Sequence, residues 1–378
     1  MRLVLCAEGP VEPQAALDAY FEDHPPTAAD PVHLLFGMRR STVVLPAASP
    51  GALTIGSFLP GRGLRNIKPL TYHRQSYSEI CHDLADGSLV PHAVIVAATP
   101  PLADGSRSLG GVNGYLDLAL AAASVVYAEE VEWLPHIRGA SRLIRSDRVV
   151  TSRTTDEAEQ PHFAGAFGVV DSAIASHVAG LIPASPRLAL GIGKVTDALT
   201  QELAGRGDIS VLSGVVADST RTLHESGALL DGPPMRAMSV IGSPSLLRWA
   251  STADVEIRPS TQIHEPSWLA SHDRFVAVLG ALQVDEQGNV NSETIAGRTV
   301  SGRGGAPDFA RGAHDSLDGL SILALPGTDR SGRSRLVTHL PDPSMSGDII
   351  DVIVTENGIA DLRGLDASSR GSAIRSVF

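Results

Sequence analysis

Short apolar runs alternate along the chain with longer stretches whose apolar positions recur at helical spacing. "HAVIVAATPP" (92–101) predicts a strand stopped by a Pro-Pro pair, "NGYLDLALAAA" (113–123) a helix, and "SVVYAEEVEWLP" (124–135) a second strand. The rhythm then repeats. "AFGVVDSAIASHVAGLI" (166–182) predicts a helix, and "RLALGIGKVTDALTQELAG" (187–205) a strand, a glycine turn and a helix. "DISVLSG" (208–214) predicts a further strand. "GALQVDEQGNV" (280–290) predicts a strand running into a turn, and "DIIDVIVTENGIADLRG" (348–364) a strand followed by a glycine-bearing loop. Strands alternating with helices predict parallel α/β sheets covered on both faces. Two such halves fit the length of 378 residues, parting near 150–165 in the polar stretch "SRTTDEAEQPH".

Composition narrows the classes. Apolar residues make up 43% and charged residues 19%, as in a globular protein. A net charge of -12 argues against non-specific nucleic-acid binding, which needs a basic face. Cys6 and Cys81 are the only cysteines, with no Cys/His cluster, so a reducing compartment is expected and no structural metal. The N-terminal apolar run is too short for a signal peptide, and no stretch approaches membrane-spanning length. A cytoplasmic location, with no membrane or nucleic-acid partner, is the expectation.

Three segments carry candidate chemistry. "GIGKV" (191–195) follows a strand and opens a helix, so Gly191 and Gly193 could present backbone N–H groups to an anion. A tight turn touching no ligand is equally compatible, and Thr196 stands where a dinucleotide fingerprint needs its third glycine. "SGRGGAPDFARGA" (301–313) is more unusual. Gly302, Gly304 and Gly305, with Arg303 among them, can bring backbone amides close to a ligand. "PGRGLRNIKPLTYHR" (60–74) gathers Arg62, Arg65, Lys68, His73 and Arg74. It reads as a phosphate site or, slightly more readily, as a solvated loop. Hydrolase templates fail: there is no G-x-S-x-G and no H-E-x-x-H.

Taken together these segments resemble the acetyl-CoA hydrolase/transferase family, which includes 4-hydroxybutyrate and acetate CoA-transferases. "SGRGGAPDFARGA" is similar to its "SGiGGqvDFvrGA", "VIVTENGIADLRG" to its "yVVTEyGvAdLrG", and "LALGIGKVTDAL" to its "GIGaiPdAv". The resemblance implies two similar open α/β domains with largely parallel sheets, 1–160 and 161–378, with the active site at their interface. It implies coenzyme A, as an acyl thioester, for the substrate, and a homo-oligomer is expected.

In that family a glutamate attacks the thioester and comes to carry CoA. Aligning its "EvDl.Gqv" with "QVDEQGNV" puts Gln283 at the nucleophile. An amide cannot take that part. Other positions depart as well: Leu212, Ser213 and Gly214 stand for the family's "HTE", Glu129, Glu130 and Val131 for its "qvN", and His264 for the Asn of "vNdP". Glu356 in "VTENG" matches a glutamate that the family keeps. The resemblance therefore implies an acyl-CoA enzyme diverged to water attack or C–C cleavage, with Glu356, Glu129, Glu130 or His264 as base and Gly302, Gly304 and Gly305 donating amides to the thioester oxygen. The alternatives are a non-catalytic acyl-CoA-binding protein and, on the "GIGKV" turn alone, a nicotinamide-dependent oxidoreductase. Trp133, Trp249 and Trp268 could line a larger acyl pocket or belong to the core.

Overall fold

The computed structural model describes residues 1–152 and 166–378. Of the polar stretch 152–162, all but Ser152 lies outside the described residues. Contacts divide the chain into two compact units. One takes in Met1–Pro161, Met238–Thr261 and Thr299–Gly304, and the other His162–Ala237, Gln262–Arg298 and Gly305–Phe378.

The first unit is built on a parallel sheet. Its strands lie side by side in the order Thr71–Tyr72, Leu53–Ser57, Val32–Phe36, Arg2–Cys6, Ala93–Ala98, Val125–Glu130 and Arg148–Thr151. The inner strands "VHLLF" and "AVIVAA" are nearly continuous apolar runs, as strands covered on both faces must be. Leu5 pairs with Leu35 on one side and Val94 on the other. The order of strands reverses between Arg2–Cys6 and Ala93–Ala98. The helix Tyr77–Asp86 opens with a Ser76/Glu79 capping box and stops at Gly87, whose φ of 82° costs glycine nothing.

The second unit repeats the plan. Strands Ser210–Val216, Arg187–Leu190, Phe275–Leu279, Leu320–Ala324 and Val352–Thr355 are parallel neighbours in that order. Helices Val169–Leu181, Lys194–Glu202 and Ala306–Asp315 belong to the same unit. Ile174, Val178, Leu199, Val276 and Ile322 are buried in its core. Here the order reverses between Arg187–Leu190 and Phe275–Leu279. A small second sheet joins Gln283–Asp285 to Val290–Asn291 and Leu336–Val337.

Two local departures have local causes. The helix read over 113–123 begins only at Leu116, because Gly114 has φ of 61° and Tyr115 a non-helical ψ near 3°. The glycine loop after Val352–Thr355 is instead a hairpin, with Gly358–Asp361 returning antiparallel and Thr355 opposite Gly358.

Candidate functional site

In an open parallel sheet, side chains and loops gather for ligands outside the carboxyl ends of the strands, where the strand order reverses. In the second unit that edge receives Gly191–Gly193 after one strand, Gly280–Gln283 after the next, Gly327 after Leu320–Ala324 and Glu356 after Val352–Thr355. The sequence-read residues Gly191, Gly193, Gln283 and Glu356 therefore all follow strands of one sheet. Gly191 donates its N–H to the Val278 carbonyl at 3.2 Å. Gly193, at φ 152°, has nothing within 4 Å of where a Cβ would stand, so its backbone faces open space.

Gln283 is half-buried and opposite Asn291 in the antiparallel register. The amide orientation of Asn291 follows from its neighbours. Its Oδ1 accepts the backbone N–H groups of Glu293 and Thr294, each at 3.0 Å, so its Nδ2 must be the other end. That Nδ2 donates to the Thr294 carbonyl at 2.9 Å and to Gln283 Oε1 at 3.0 Å. With its oxygen engaged by Asn291, the other end of the Gln283 amide is Nε2, a donor. Two residues on, the fully buried carboxylate of Asp285 accepts from the Gln287, Asn289 and Leu340 backbones and from Asn289 Nδ2. It pins the turn and leaves position 283 as the reachable polar group of the strand.

Arg335 and Gly327 connect this strand to Glu356. The Arg335 carbonyl accepts the Val284 N–H at 3.0 Å, and its own N–H donates to the Gly327 carbonyl at 2.9 Å. Gly327 in turn donates its N–H to Glu356 Oε2 at 2.8 Å. The Arg335 guanidinium donates to the carbonyls of Ala281 at 2.9 Å and Thr328 at 3.3 Å. Burial pulls its pKa down, against the charges of Asp329 and Glu356, which hold it up. Asn291, Arg335 and Gly327 carried no signal in the chain read one segment at a time.

His264 is buried, its imidazole edge-on to Phe309 with ring centroids 5.1 Å apart. A Cβ on Gly214 would stand 3.4 Å from its Nε2, and one on Gly305 would collide with the ring. The imidazole thus fills space that two missing side chains leave. Two of the positions that depart from the family pattern, Gly214 and His264, are in contact. Burial alone pushes the His264 pKa down to about 3, so the ring is neutral at physiological pH and a poor proton acceptor.

The remaining candidates lie in the first unit. Glu129 is buried, accepting the N–H groups of Ala15 at 2.7 Å and Ala16 at 3.3 Å, where helix Gln14–Asp23 begins, and the Ser152 hydroxyl at 2.5 Å. Glu130 pairs with Arg107, whose guanidinium also donates to the Thr99 carbonyl. In the glycine-dense loop, a Cβ on Gly302 would strike the Phe58 carbonyl. Gly304, at φ 54°, accepts the Tyr77 N–H at 3.2 Å, and the Arg303 N–H donates to Tyr72 Oη at 3.1 Å. At Gly302 the close approach that glycine permits is to the chain's own backbone. Among the described residues no group of three or more His, Cys, Asp or Glu side chains is placed to hold a metal, and no helix is long and apolar enough to cross a membrane.

This architecture has counterparts among solved structures. The crystal structure of 4-hydroxybutyrate CoA-transferase from Porphyromonas gingivalis superposes with a TM-score of 0.77 at 21% identity, covering 100% of this chain and 89% of that one. The fold is therefore that of the CoA-transferases. Residues 242–377 match the acetyl-CoA hydrolase/transferase C-terminal domain. The chain is 29% identical over 297 residues to 4-hydroxybutyrate coenzyme A transferase of Clostridium kluyveri, covering 75% of this chain and 68% of that protein. It is 26% identical over 298 residues to succinyl-CoA:acetate/propanoyl-CoA:succinate CoA transferase of Fasciola hepatica, of which it covers 62%. The family match thus covers residues 242–377, and both of these relatives are similar to this chain at under 30% identity.

Proposed function

We propose that this protein is an enzyme that processes acyl-CoA thioesters without forming a glutamyl-CoA intermediate. The observation that carries this reading is the orientation of Gln283. Its Oε1 is held by Asn291 at 3.0 Å, so it offers N–H donors where the family alignment has a nucleophilic carboxylate. A donor at that point polarises a thioester carbonyl, or holds the oxyanion that forms from it, but forms no covalent bond. The attacking group is then water, or the bond that breaks is the C–C bond next to the thioester. In hydrolysis, Glu356 takes a proton from water as its oxygen bonds the carbonyl carbon, and CoA leaves as the thiolate when the tetrahedral oxyanion collapses. Glu356 is suited to that part because, among the described residues, its one hydrogen bond is to Oε2 from the Gly327 N–H, while His264 is buried and neutral.

The test is a mass-spectrometric time course with a panel of acyl-CoAs, with and without an isotopically labelled carboxylate. The expected result is free CoA, or a shortened acyl chain, with no label in acyl-CoA. Glu356→Gln should lower the rate by about a hundredfold or more. Label entering acyl-CoA would mean transfer through a different nucleophile and would overturn the reading. Binding without turnover would leave a non-catalytic acyl-CoA-binding protein.

A further inference from the structure

The first unit carries a pair of imidazoles that the acyl-CoA reading does not use. His33 and His73, one on the second strand and the other just beyond the edge strand Thr71–Tyr72, meet with Nε2 atoms 3.1 Å apart. The sheet brings them together. His33 is opposite Thr54 in the parallel register, and alternation places Gly56 on the same face. Gly56 is opposite Thr71, and the His73 N–H donates to the Ser57 carbonyl at 3.0 Å, which extends the edge strand by one residue. A Cβ on Gly56 would stand 2.7 Å from one Nε2 and 2.8 Å from the other. The two rings therefore converge over a position that is open only because it is glycine.

The tautomer of His33 is set by its second nitrogen. Thr54 Oγ1 lies 2.9 Å from His33 Nδ1 and 3.4 Å from the Val32 carbonyl, an arrangement that accommodates an Nδ1–H donated to Thr54 while the hydroxyl donates to Val32. That leaves His33 Nε2 with its lone pair, facing His73. An imidazole oriented by a hydrogen bond through its other nitrogen is the usual state of a metal-bound histidine. Two nitrogens on one tetrahedral ion, each about 2.05 Å from it, lie roughly 3.3 Å apart. The observed spacing needs to open by only a few tenths of an ångström. Burial lowers the pKa of both rings, and the neighbouring imidazole lowers that of His33 further. Both are partly solvent-accessible, which supplies an entry path and water for the remaining coordination positions.

We infer that His33 and His73 form a two-imidazole site for a borderline-soft divalent cation of the Zn²⁺, Ni²⁺ or Cu²⁺ class, over Gly56. The cation binds both Nε2 atoms, and the His73 proton that lay between the rings moves to His73 Nδ1, so no net proton is released. The bound ion ties the edge segment Thr71–His73 to strand Val32–Phe36 across the strand between them. Carboxylate-seeking cations such as Mg²⁺ have no ligand here.

The test titrates the whole protein with Zn²⁺ and Ni²⁺ calorimetrically in a non-coordinating buffer at pH 7.5, and reads Cu²⁺ by electron paramagnetic resonance. One equivalent should bind, reversibly to chelator, with no response to Mg²⁺. His33→Asn and His73→Asn should each weaken binding at least tenfold, and Gly56→Ala should do the same by displacing both rings. Copper hyperfine structure from two imidazole nitrogens should fall to that of one in either histidine variant. Thr54→Val, a gentler change that keeps both ligands, should weaken binding less than either. Absence of one-equivalent binding, or binding unchanged in both histidine variants, would overturn the inference.

Discussion

The carboxyl edges of the two sheets are built alike and used differently. At the first, acidic side chains are engaged by the chain's own backbone. Glu8 accepts the Met38 N–H at 2.9 Å, Glu12 accepts from the Arg40 and Ser41 backbones, and Glu129 accepts from Ala15 and Ala16. At the second, Gln283 has its oxygen fixed by the Asn291 side chain, and Glu356 has one oxygen held by Gly327. A polar residue at the end of a parallel strand is therefore not yet a site. What separates the two edges is the hydrogen-bonding capacity left after the backbone has been satisfied.

The strongest way to break this comparison is to restore a nucleophile. In Gln283→Glu, Asn291 Nδ2 would still hold one oxygen, and the other would be a carboxylate oxygen directed at the same place. We expect labelled carboxylate to enter acyl-CoA with a rate gain of at least about a hundredfold, together with a protein-bound CoA adduct detectable by mass. If neither appears, Asn291 does not orient a reactive group, and the carrying observation of the proposed function loses its meaning.

The second test addresses the first edge. Glu129→Ala strips a charged acceptor from two N–H groups at a helix start and from Ser152. The expected loss is about 2–3 kcal/mol, with thermal unfolding lowered by roughly 5–10 °C. Glu129→Gln should recover a good part of it. Acyl-CoA turnover per folded molecule should not change in either variant. A tenfold fall in turnover with stability intact would instead make Glu129 part of the chemistry.

Much of this contrast was legible in the chain, and the limits of legibility have physical causes. Ala93–Ala98, Val125–Glu130, Arg187–Leu190, Ser210–Val216 and Val352–Thr355 declared themselves as short apolar runs, whereas Arg2–Cys6, Val32–Phe36, Phe275–Leu279 and Leu320–Ala324, equally apolar, were not read as strands. Asn291 did not declare itself, although "DEQGN" held the clue. A hairpin closed by the Asp285 N–H on the Asn289 carbonyl puts 284 opposite 290 and 283 opposite 291. Reading the turn as a register would have found it. The glycines of 301–305 were conspicuous, but what Gly302 approaches is the Phe58 carbonyl, more than two hundred residues away in the chain. Local sequence reveals that a backbone must come close to something. It does not reveal to what.

The smallest effect sharpens the comparison at His264, the buried ring that occupies the space beside Gly214 and Gly305. Its folded pKa of about 3 lies below the ordinary histidine value, so the folded protein refuses a proton that the unfolded chain accepts. Stability from this group is complete above about pH 6.5 and is lost as pH falls below that, down to about pH 3. Between pH 7 and pH 6 the loss is about 0.7 kcal/mol, approaching about 1.4 kcal/mol per pH unit lower down. His33, His73, His92 and His136 are shifted in the same direction and add to the measured slope. The informative quantity is therefore the difference between the protein and His264→Gln in urea unfolding at a series of pH values. A flatter acid limb in the variant is expected, since a neutral amide cannot be protonated there. Identical slopes would mean that His264 takes up its proton in the folded state, which requires a carboxylate or water beside it and would reopen it as a base.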